Sequence, residues 1–294
     1  MGTSDAVFHP DDRHAHAEPI RRSIRHMQTR LADKLALDEM AAVACMSSFH
    51  YLRVFQSLTG VPPARFFGAL RLEAAKGLLM RTDRSVLDIC QDVGYSSLGT
   101  FTTRFAQLVG LAPARYREMY RELRTSAGAA SLPRQNLPAS SSAHWRGRIE
   151  HVPQDALLFV GLFESRIPQE LPLACDILTR TREFHLDVPD DADPDAAYHV
   201  LSVALVPVPD FDRLFDNRSL IGAVGAAGPV TARELERPIS LSLRAPDLLD
   251  PPVLVAFPLL MHVKLGGLPP FATAIAPKPA YAAATAQSPE MLAL

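Results

Sequence analysis

Two short stretches of the sequence combine hydroxyl, guanidinium and small side chains with aromatic residues at helical spacing. In the later stretch Phe101 and Phe105 lie one helical turn apart, which predicts that they face inward and that the residues between them face outward. Threonine hydroxyls on such a face can hydrogen-bond to phosphates or base edges, and small residues permit close approach. In the earlier stretch Arg53 carries the fork of donors that grips a guanine edge through two hydrogen bonds. The candidate contact residues are Ser48, Phe49, Leu52, Arg53 and Gln56 in the earlier stretch and Leu98, Gly99, Thr100, Thr102, Thr103 and Arg104 in the later one.

These candidates also have plainer interpretations, which the residue types leave open. Arg53 also fits a solvated surface charge, and Phe49 also fits a cap on the hydrophobic core. For His50 we favour a place on the helix surface or in an interface over base reading. Arg104 lies at the edge of the outward face, so we expect it to contact phosphate. A pair of helical hairpins with capping serines also occurs in purely structural bundles, so spacing alone leaves both functions open.

The elements that must position these residues form a repeat with a period of 49 to 50 residues. Each unit consists of a short helix, a tight turn and a second short helix, which is the pattern of a helix-turn-helix. Ser47 or Ser48 is predicted to cap the second helix of the first unit, and Ser96 or Ser97 that of the second. Two units on one rigid helix could enter successive major grooves, about 34 Å apart. Nearly the same phrase follows each unit, Gly60-Val61-Pro62-Pro63-Ala64-Arg65-Phe66 and then Gly110-Leu111-Ala112-Pro113-Ala114-Arg115-Tyr116.

The distribution of proline and of charge divides the chain in two. Of the 25 prolines, 20 lie beyond residue 125. Residues 13–125 carry 17 Lys and Arg against 10 Asp and Glu, whereas residues 126–294 carry 13 against 19. A basic half joined to an acidic half indicates that only the first half meets a polyanion, although chance variation of surface charge would give the same balance. The predicted parts are a flexible N-terminus (1–16), a DNA-binding domain (17–124), a linker (125–143), a β-rich domain for effector binding or dimerisation (144–275) and a flexible tail (276–294).

The span from about Arg22 to Arg121 resembles the DNA-binding domain of the AraC/XylS transcription regulators. The resemblance implies seven helices, two helix-turn-helix units and a linking helix at about residues 62–80. The base-contacting positions that it implies are Phe49, Leu52 and Arg53 in the first unit and Leu98, Gly99, Thr100 and Thr103 in the second. The matching residues are Leu37-Asp38-Glu39-Met40-Ala41, Phe49-His50-Tyr51-Leu52-Arg53-Val54-Phe55, Thr59-Gly60, Pro63, Arg71-Leu72, Ala75, Leu78-Leu79, Ile89-Cys90, Val93-Gly94-Tyr95-Ser96-Ser97, Phe101, Arg104-Phe105, Gly110, Pro113 and Tyr116.

Two departures from the family pattern bear on these expectations. Ala36 stands where the family usually has a hydroxyl cap, which should loosen the first unit by about 1 kcal/mol. Leu98 and Gly99 offer no side-chain donors where the family often has polar residues, so we expect the second unit to read DNA shape or phosphates more than bases. Many family members also place a sensor before the DNA-binding domain. Here the order is reversed, so the usual sugar-binding sensor does not carry over by position.

Short apolar or alternating stretches in the second half predict β-strands separated by turns rich in Pro and Asp, which favours an antiparallel sandwich. The order of an apolar strand, Phe-x-Leu-x-Val-Pro and Tyr-x-Val resembles transthyretin-like and carboxypeptidase-regulatory-like sandwiches, although Asp191 to Ala197 stand where those have a glycine turn. The predicted fold is an all-α, homeodomain-like double helix-turn-helix domain followed by a mainly-β sandwich. The predicted strands lie at residues 156–163, 184–188, 198–206, 239–243 and 253–257.

The second half shows no residue pattern typical of catalysis or metal binding. The three cysteines, Cys45, Cys90 and Cys175, are far apart in apolar contexts, so we predict reduced core thiols of a cytosolic protein. We therefore expect no catalytic residue, no metal site and no cofactor. The scattered residues weighed for such sites are His144, His151, His185, His199, His262, Glu150, Asp190, Asp191, Asp193 and Asp195.

These patterns together predict a cytoplasmic, nucleoid-associated bacterial transcription regulator. Its expected partner is double-stranded DNA, and RNA polymerase, a small-molecule effector and a second copy of the chain are further candidates. No apolar run approaches the roughly 20 residues that span a bilayer, and the N-terminus lacks the apolar core of a signal peptide, so we expect no membrane partner. Two alternatives stay open, in which the C-terminal half is an enzyme or a purely structural interaction module addressed to DNA.

Overall fold

The computed structural model describes residues 10–125 and 143–257, apart from residues 179–180, 189–191, 194, 208–216, 232 and 235–236. Residues 1–9, most of the predicted linker and the whole predicted tail lie outside these ranges, as do Asp190, Asp191 and His262. Within them the chain forms a helical half followed by a β half, which confirms the predicted fold class. None of the helices in these ranges has the length and apolarity needed to cross a bilayer.

Seven helices make up the described N-terminal half, as the family resemblance implies. The first begins at Pro10, inside the segment predicted to be flexible, and α4 is the helix that links the two helix-turn-helix units. The helices are α1 (Pro10–Thr29), α2 (Leu37–Val43), α3 (Ser48–Thr59), α4 (Pro63–Arg81), α5 (Val86–Asp92), α6 (Leu98–Val109) and α7 (Pro113–Thr125).

Serine hydroxyls cap the second helix of each unit, and the structure selects one serine from each predicted pair. Ser47 and Ser97 are the caps, and each hydroxyl accepts a hydrogen bond from the amide three residues further on, at 3.4 and 3.3 Å. Ser85 and Asp88 form a reciprocal capping box at the start of α5. Ala36 makes no side-chain cap, as predicted, so α2 lacks about 1 kcal/mol that a hydroxyl would supply.

Six buried aromatic rings, three in each unit, fill the cores behind α3 and α6. Neighbouring ring centroids lie 5.3 to 5.7 Å apart, within the range of favourable aromatic contact. Full burial of each ring contributes roughly 1.5–3 kcal/mol. The internal repeat of the sequence therefore corresponds to two equivalent hydrophobic cores, one in each unit. The two stacks are Tyr51–Phe55–Phe66 in the first unit and, fifty residues later, Phe101–Phe105–Tyr116 in the second.

Seven strands in the described C-terminal half form two sheets. Sheet A has the order β4-β1-β7, and sheet B has the order β3-β2-β5-β6. Sheet B is antiparallel throughout, but β1 and β7 pair in parallel, so the prediction of a wholly antiparallel sandwich was wrong at this one pair. A short helix, α8 (Asn217–Leu220), precedes β6. The strands are β1 (Ala143–Glu150), β2 (Leu157–Phe163), β3 (Ala174–Leu178), β4 (Glu183–Val188), β5 (Tyr198–Leu205), β6 (Ile221–Val230) and β7 (Ile239–Ser242).

Strand β2 of sheet B is buried on both faces, which explains why it reads as an unbroken apolar run. Leu158, Val160 and Leu162 point into the core shared with sheet A. Phe159 and Phe163 point the other way, into a cluster that continues into the helical half. The two sheets thus form a sandwich, and the outer face of sheet B is covered in turn.

Residues 253–257 are not the strand that the sequence predicted. They are buried but form no strand, and several of their backbone groups bond outside any ladder. The amides of Leu254 and Val255 both donate to the Pro168 carbonyl, at 2.8 and 3.3 Å. The carbonyls of Val253, Leu254 and Val255 all accept from Lys76 Nζ on α4, at 3.4, 3.0 and 3.3 Å. Because these groups already have partners, the segment cannot add to a sheet.

The helical and β halves dock through polar contacts as well as the shared apolar cluster. Lys76, only 3% exposed, is the most buried of these polar groups. Arg21 on α1 donates to both carboxylate oxygens of Asp247, at 3.0 and 2.6 Å. Arg65 at the start of α4 donates to Ser165 Oγ at 3.4 Å. The β half therefore sits against α1 and α4.

The cysteines only partly follow the prediction. All three are free thiols, and Cys90 and Cys175 are buried as predicted, but Cys45 is exposed. It occupies the turn between α2 and α3 with a φ of 58°, a left-handed conformation that directs its side chain away from the core. Its Sγ lies 3.9 Å from Arg22 Nη2.

Candidate nucleic-acid interface

The outward face of α3 carries exposed side chains of several kinds. Phe49 is 80% exposed, so it does not cap the core, and Leu52 beside it is 37% exposed. Arg53 and Gln56 are exposed on the same helix. Ser48 is half-buried, and its hydroxyl donates to the Asp38 carboxylate on α2. The structure thus brings the first-unit candidates together on one helix, with Ser48 the least accessible.

The outward face of α6 is smaller and more polar. Leu98 is 41% exposed at the first turn, followed by exposed Gly99 and Thr100. Thr103 and Arg104 are exposed one turn later, whereas Thr102, which was also predicted to face outward, is half-buried. The first turn of α6 therefore presents backbone and hydroxyl groups with little side-chain bulk.

The turn that leads into α6 depends on a close backbone approach at Gly94. Its φ is 79°, and a Cβ there would lie 2.5 Å from the Leu31 carbonyl oxygen and 2.7 Å from Arg71 Nη2. Only glycine fits such a position without strain. In the first unit the equivalent turn uses Cys45 instead.

Arg71 on α4 holds the backbone beside this turn in place. The sequence analysis gave Arg71 no role of its own. Its guanidinium donates to the carbonyls of Leu31 and Asp33, at 2.9 and 2.7 Å, and lies 4.4 Å above the centre of the Phe67 ring. Burial lowers the pKa of Arg71, and the nearby Tyr95 and Asp33 oppose that shift. An arginine in the middle of an otherwise apolar helix face was the signal available in the sequence.

His50 lies in an interface between helices, which is one of the two places that we favoured for it over base reading. Its ring packs edge-on against His16 of α1, with centroids 5.3 Å apart. The contact joins the start of α3 to α1, so His50 serves an internal interface.

The β half covers the opposite ends of both helices and leaves their N-terminal faces open. The side chain of Arg166 lies over Gly60 at the C-terminal end of α3. A Cβ added to Gly60 would lie 3.0 Å from Arg166 Nε. The amide of Glu170 donates to the Leu108 carbonyl near the end of α6, at 2.8 Å. Both contacts come from the loop between β2 and β3. The candidate faces at Phe49 and Leu98 remain accessible beside it.

Comparison with known proteins places these elements in a family. A family model described as a helix-turn-helix domain matches residues 40–119, which run from α2 into α7. The MmsAB operon regulatory protein of Pseudomonas aeruginosa is 34% identical over 97 residues, which cover 33% of this chain and 32% of that protein. The Transposon Tn10 TetD protein of Escherichia coli is 31% identical over 107 residues, which cover 36% of this chain and 78% of TetD.

A solved structure is similar to about a third of the chain. The DNA-binding domain of AdpA, crystallised with a target DNA, is 30% identical, with a TM-score of 0.34 and coverage of 35% of this chain and 93% of that one. The matched part of this chain spans about a third of the length of the MmsAB operon regulatory protein. Because the match to TetD extends over most of that protein and the helix-turn-helix match falls on α2 to α7, this chain belongs to the AraC/XylS family of transcription regulators.

Proposed function

We propose that the protein is a sequence-specific DNA-binding transcription regulator in which α3 and α6 enter adjacent major grooves. One observation carries the proposal. Buried aromatic stacks hold both helices from behind, and the β half contacts their C-terminal ends. Their N-terminal faces stay exposed, and the side chain of Phe49 is 80% exposed to solvent. An aromatic ring left in water on a rigid helix is unusual for a folded domain and typical of a contact surface.

The two faces suit different kinds of contact. On α3, Arg53 donates two hydrogen bonds to the edge of a guanine. Phe49 and Leu52 make apolar contacts with base edges or sugars. Gln56 and Ser48 add hydrogen bonds at the margin. On α6 the candidates Leu98, Gly99, Thr100, Thr103 and Arg104, with Thr102 at the edge, suit phosphates and the thymine methyl group.

The β half is proposed to sense a small molecule or to mediate dimerisation, and not to catalyse a reaction. Ser242 Oγ and His151 Nδ1 lie 2.9 Å apart, but both residues are exposed. Cys175 is buried. A catalytic pair would need a cleft that binds substrate and excludes water. We further propose that the protein acts in the bacterial cytoplasm on the nucleoid, with RNA polymerase as a partner.

The proposal is tested by selecting binding sites for the full chain from random duplexes and measuring the affinity for the selected site at several salt concentrations. We expect enrichment of a bipartite site whose two parts lie one helical turn, about 10 base pairs, apart. Affinity should fall steeply with salt because Lys and Arg displace counterions from the phosphates.

The matched variants separate the two helices. Phe49→Ala should weaken binding to the part of the site read by α3, and Thr103→Ala should weaken binding to the other part. The control Gln107→Ala changes an exposed residue of α6 outside the candidate set. Selection that enriches no sequence, or equal affinity for selected and random duplexes, would reject the proposed function.

A further inference from the structure

A cavity of about 310 Å³ lies where the helical half meets sheet B. It is at the small end of the range of ligand pockets, about 300–1,000 Å³. Its walls combine α4 with β2, β5, β6 and the loop at residues 246–253. A molecule in it would touch both halves of the protein at once.

Most of the wall is apolar. Phe66 and Leu70 of α4 face the cavity from the helical half, and Phe163 and Leu201 face it from sheet B. All four side chains are largely withdrawn from solvent. These walls suit a hydrocarbon or aromatic body, which would gain free energy by leaving water.

Among the described residues no carboxylate bonds to Arg166, the arginine in the wall, although the charges of Asp250 and Arg244 both act on it. Asp247 is held by Arg21, and Asp250 is held by Arg244. Arg166 also lines the cavity, and within the described part of the chain its guanidinium makes no hydrogen bond or ion pair. Burial lowers the pKa of Arg166 and the charge of Asp250 opposes that shift, but no carboxylate in the described ranges is hydrogen-bonded to the guanidinium. A partly buried guanidinium of this kind is a favourable place for the carboxylate of a ligand.

Two further titratable groups complete the wall. Glu73 of α4 already interacts with other residues of the protein. His199 has a buried Nδ1 with no hydrogen-bond partner among the described residues. Burial, and secondarily the charge of Arg166, lowers the pKa of His199, so its ring is neutral near pH 7 and adds hydrogen-bonding capacity without charge.

The cavity is connected to both candidate recognition helices through one loop. Ser165, Arg166 and Pro168, all in the β2–β3 loop, line the cavity. The same loop covers the end of α3 through Arg166 and bonds to the end of α6 through Glu170. A ligand that draws the Arg166 side chain toward itself would change a contact made on α3.

We infer that this cavity is an effector site for a small organic monoanion, whose carboxylate pairs with Arg166 while its apolar body lies between α4 and sheet B, and that its occupancy changes DNA affinity through the β2–β3 loop. The inference rests on the proposed DNA-binding function for its second part only. Ligand binding itself is independent of that function.

The test is calorimetric titration of the full chain with hexanoate, octanoate and 4-phenylbutyrate, each beside its neutral amide. We expect at least one carboxylate to bind and its amide to bind about tenfold or more weakly, because the amide leaves the guanidinium without a charged partner. Arg166→Gln should weaken carboxylate binding by about thirtyfold or more. Arg148→Gln, which changes an exposed arginine of β1, is the matched control and should bind as the parent does.

A second variant keeps the test independent of the fold around Arg166. Leu201→Trp fills the cavity from β5 and should abolish binding while the affinity for random duplex stays unchanged. In the second part of the experiment the bound carboxylate should change the affinity for the selected duplex about fivefold or more.

The outcomes separate the two proposals. No heat of binding with any carboxylate at about 10 mM, or equal binding of acids and amides, overturns the site. Binding that leaves the affinity for the selected duplex unchanged overturns its role as an effector site. A chain that selects no DNA sequence at all, yet binds carboxylate through Arg166, rejects the proposed DNA-binding function and leaves the anion site standing.

Discussion

At the scale of single residues, the two candidate faces differ chemically even though they occupy equivalent places in the repeat. Phe49 and Arg53 of the first unit correspond, fifty residues later, to Gly99 and Thr103 of the second. A ring and a guanidinium can discriminate between base edges, whereas a glycine and a hydroxyl mainly allow close approach and phosphate contact. We therefore assign most sequence discrimination to the first unit.

The assignment predicts an uneven effect of changing Arg53. Arg53→Ala should cost about 1–3 kcal/mol of binding to the selected duplex, because the paired hydrogen bonds to guanine are lost, while random duplex binds nearly as before. Arg53→Lys keeps the charge but not the fork, so it should lose most of the same discrimination. Arg148→Ala serves as the control, and fluorescence anisotropy with both duplexes gives the measurement. Equal losses on selected and random DNA would exclude Arg53 as a base reader.

At the scale of elements, the turn between α5 and α6 sets where the second face lies. Gly94 brings the chain against the Leu31 carbonyl and Arg71, and Arg71 holds the loop that follows α1. The turn is therefore locked to the linking helix α4. Gly110, at the other end of α6, has a φ of 92° but nothing within 4 Å of the position a Cβ would take.

These two glycines make a matched pair for a stability measurement. Gly110→Ala should cost about 1–2 kcal/mol, the usual penalty for a left-handed alanine. Gly94→Ala should cost clearly more, because its Cβ would also overlap backbone oxygen and the Arg71 guanidinium. Urea unfolding of the two variants measures the difference. Equal costs would mean that the close approach at Gly94 relaxes freely and does not set the position of α6.

At the scale of the whole molecule, the β half packs directly against α4, the helix that links the two helix-turn-helix units. Lys76 is the centre of that contact, since its buried ammonium serves three successive carbonyls of residues 253–255. A buried charge is tolerated only where its hydrogen bonds are satisfied. The two halves should therefore unfold together.

Replacing Lys76 should uncouple them. Lys76→Met removes the donor that three carbonyls share and should lower the free energy of unfolding by about 1–3 kcal/mol. Trp145, the single tryptophan, is buried in the β half, so its fluorescence reports on that half while far-UV circular dichroism follows the helices. The two signals should coincide for the parent chain and separate for the variant, with Lys34→Met as the exposed control. Coincident transitions in Lys76→Met would show that docking does not depend on this contact.

The docking should also weaken in acid. The Arg21 hydrogen bond holds the pKa of Asp247 below its usual value, and burial opposes this shift. A carboxyl with a lowered folded-state pKa contributes stability above its unfolded-state pKa, about 3.9, and loses it as pH falls through the folded-state pKa. Asp247→Asn should therefore destabilise the protein near neutral pH and make little difference in strong acid. Urea unfolding at a series of pH values tests this, with Glu183→Gln as control; a cost that persists in strong acid would contradict it.

Local patterns in the sequence were enough to predict most of the helical half and its repeat. Helix periodicity, glycine stops and serine caps are local signals, so α1 to α6 and the exposure of Arg53 and Thr103 followed from spacing, whereas α7 was expected only from the family resemblance. The alternating strands β4 and β7 and the apolar strands β2 and β5 followed from equally local patterns. By contrast β1, β3 and β6 carry glycine, alanine or charge in their patterns, and such residues have weak strand preference outside a packed sheet.

Local patterns did not predict the contacts between distant segments of the chain. The parallel pairing of β1 with β7, the burial of Lys76, and the irregular path of residues 253–257 each depend on partners far away in the chain. The same is true of the cavity beside Arg166, whose walls come from both halves. A local pattern sets which face of an element is apolar, but what covers that face depends on the packing of the whole chain.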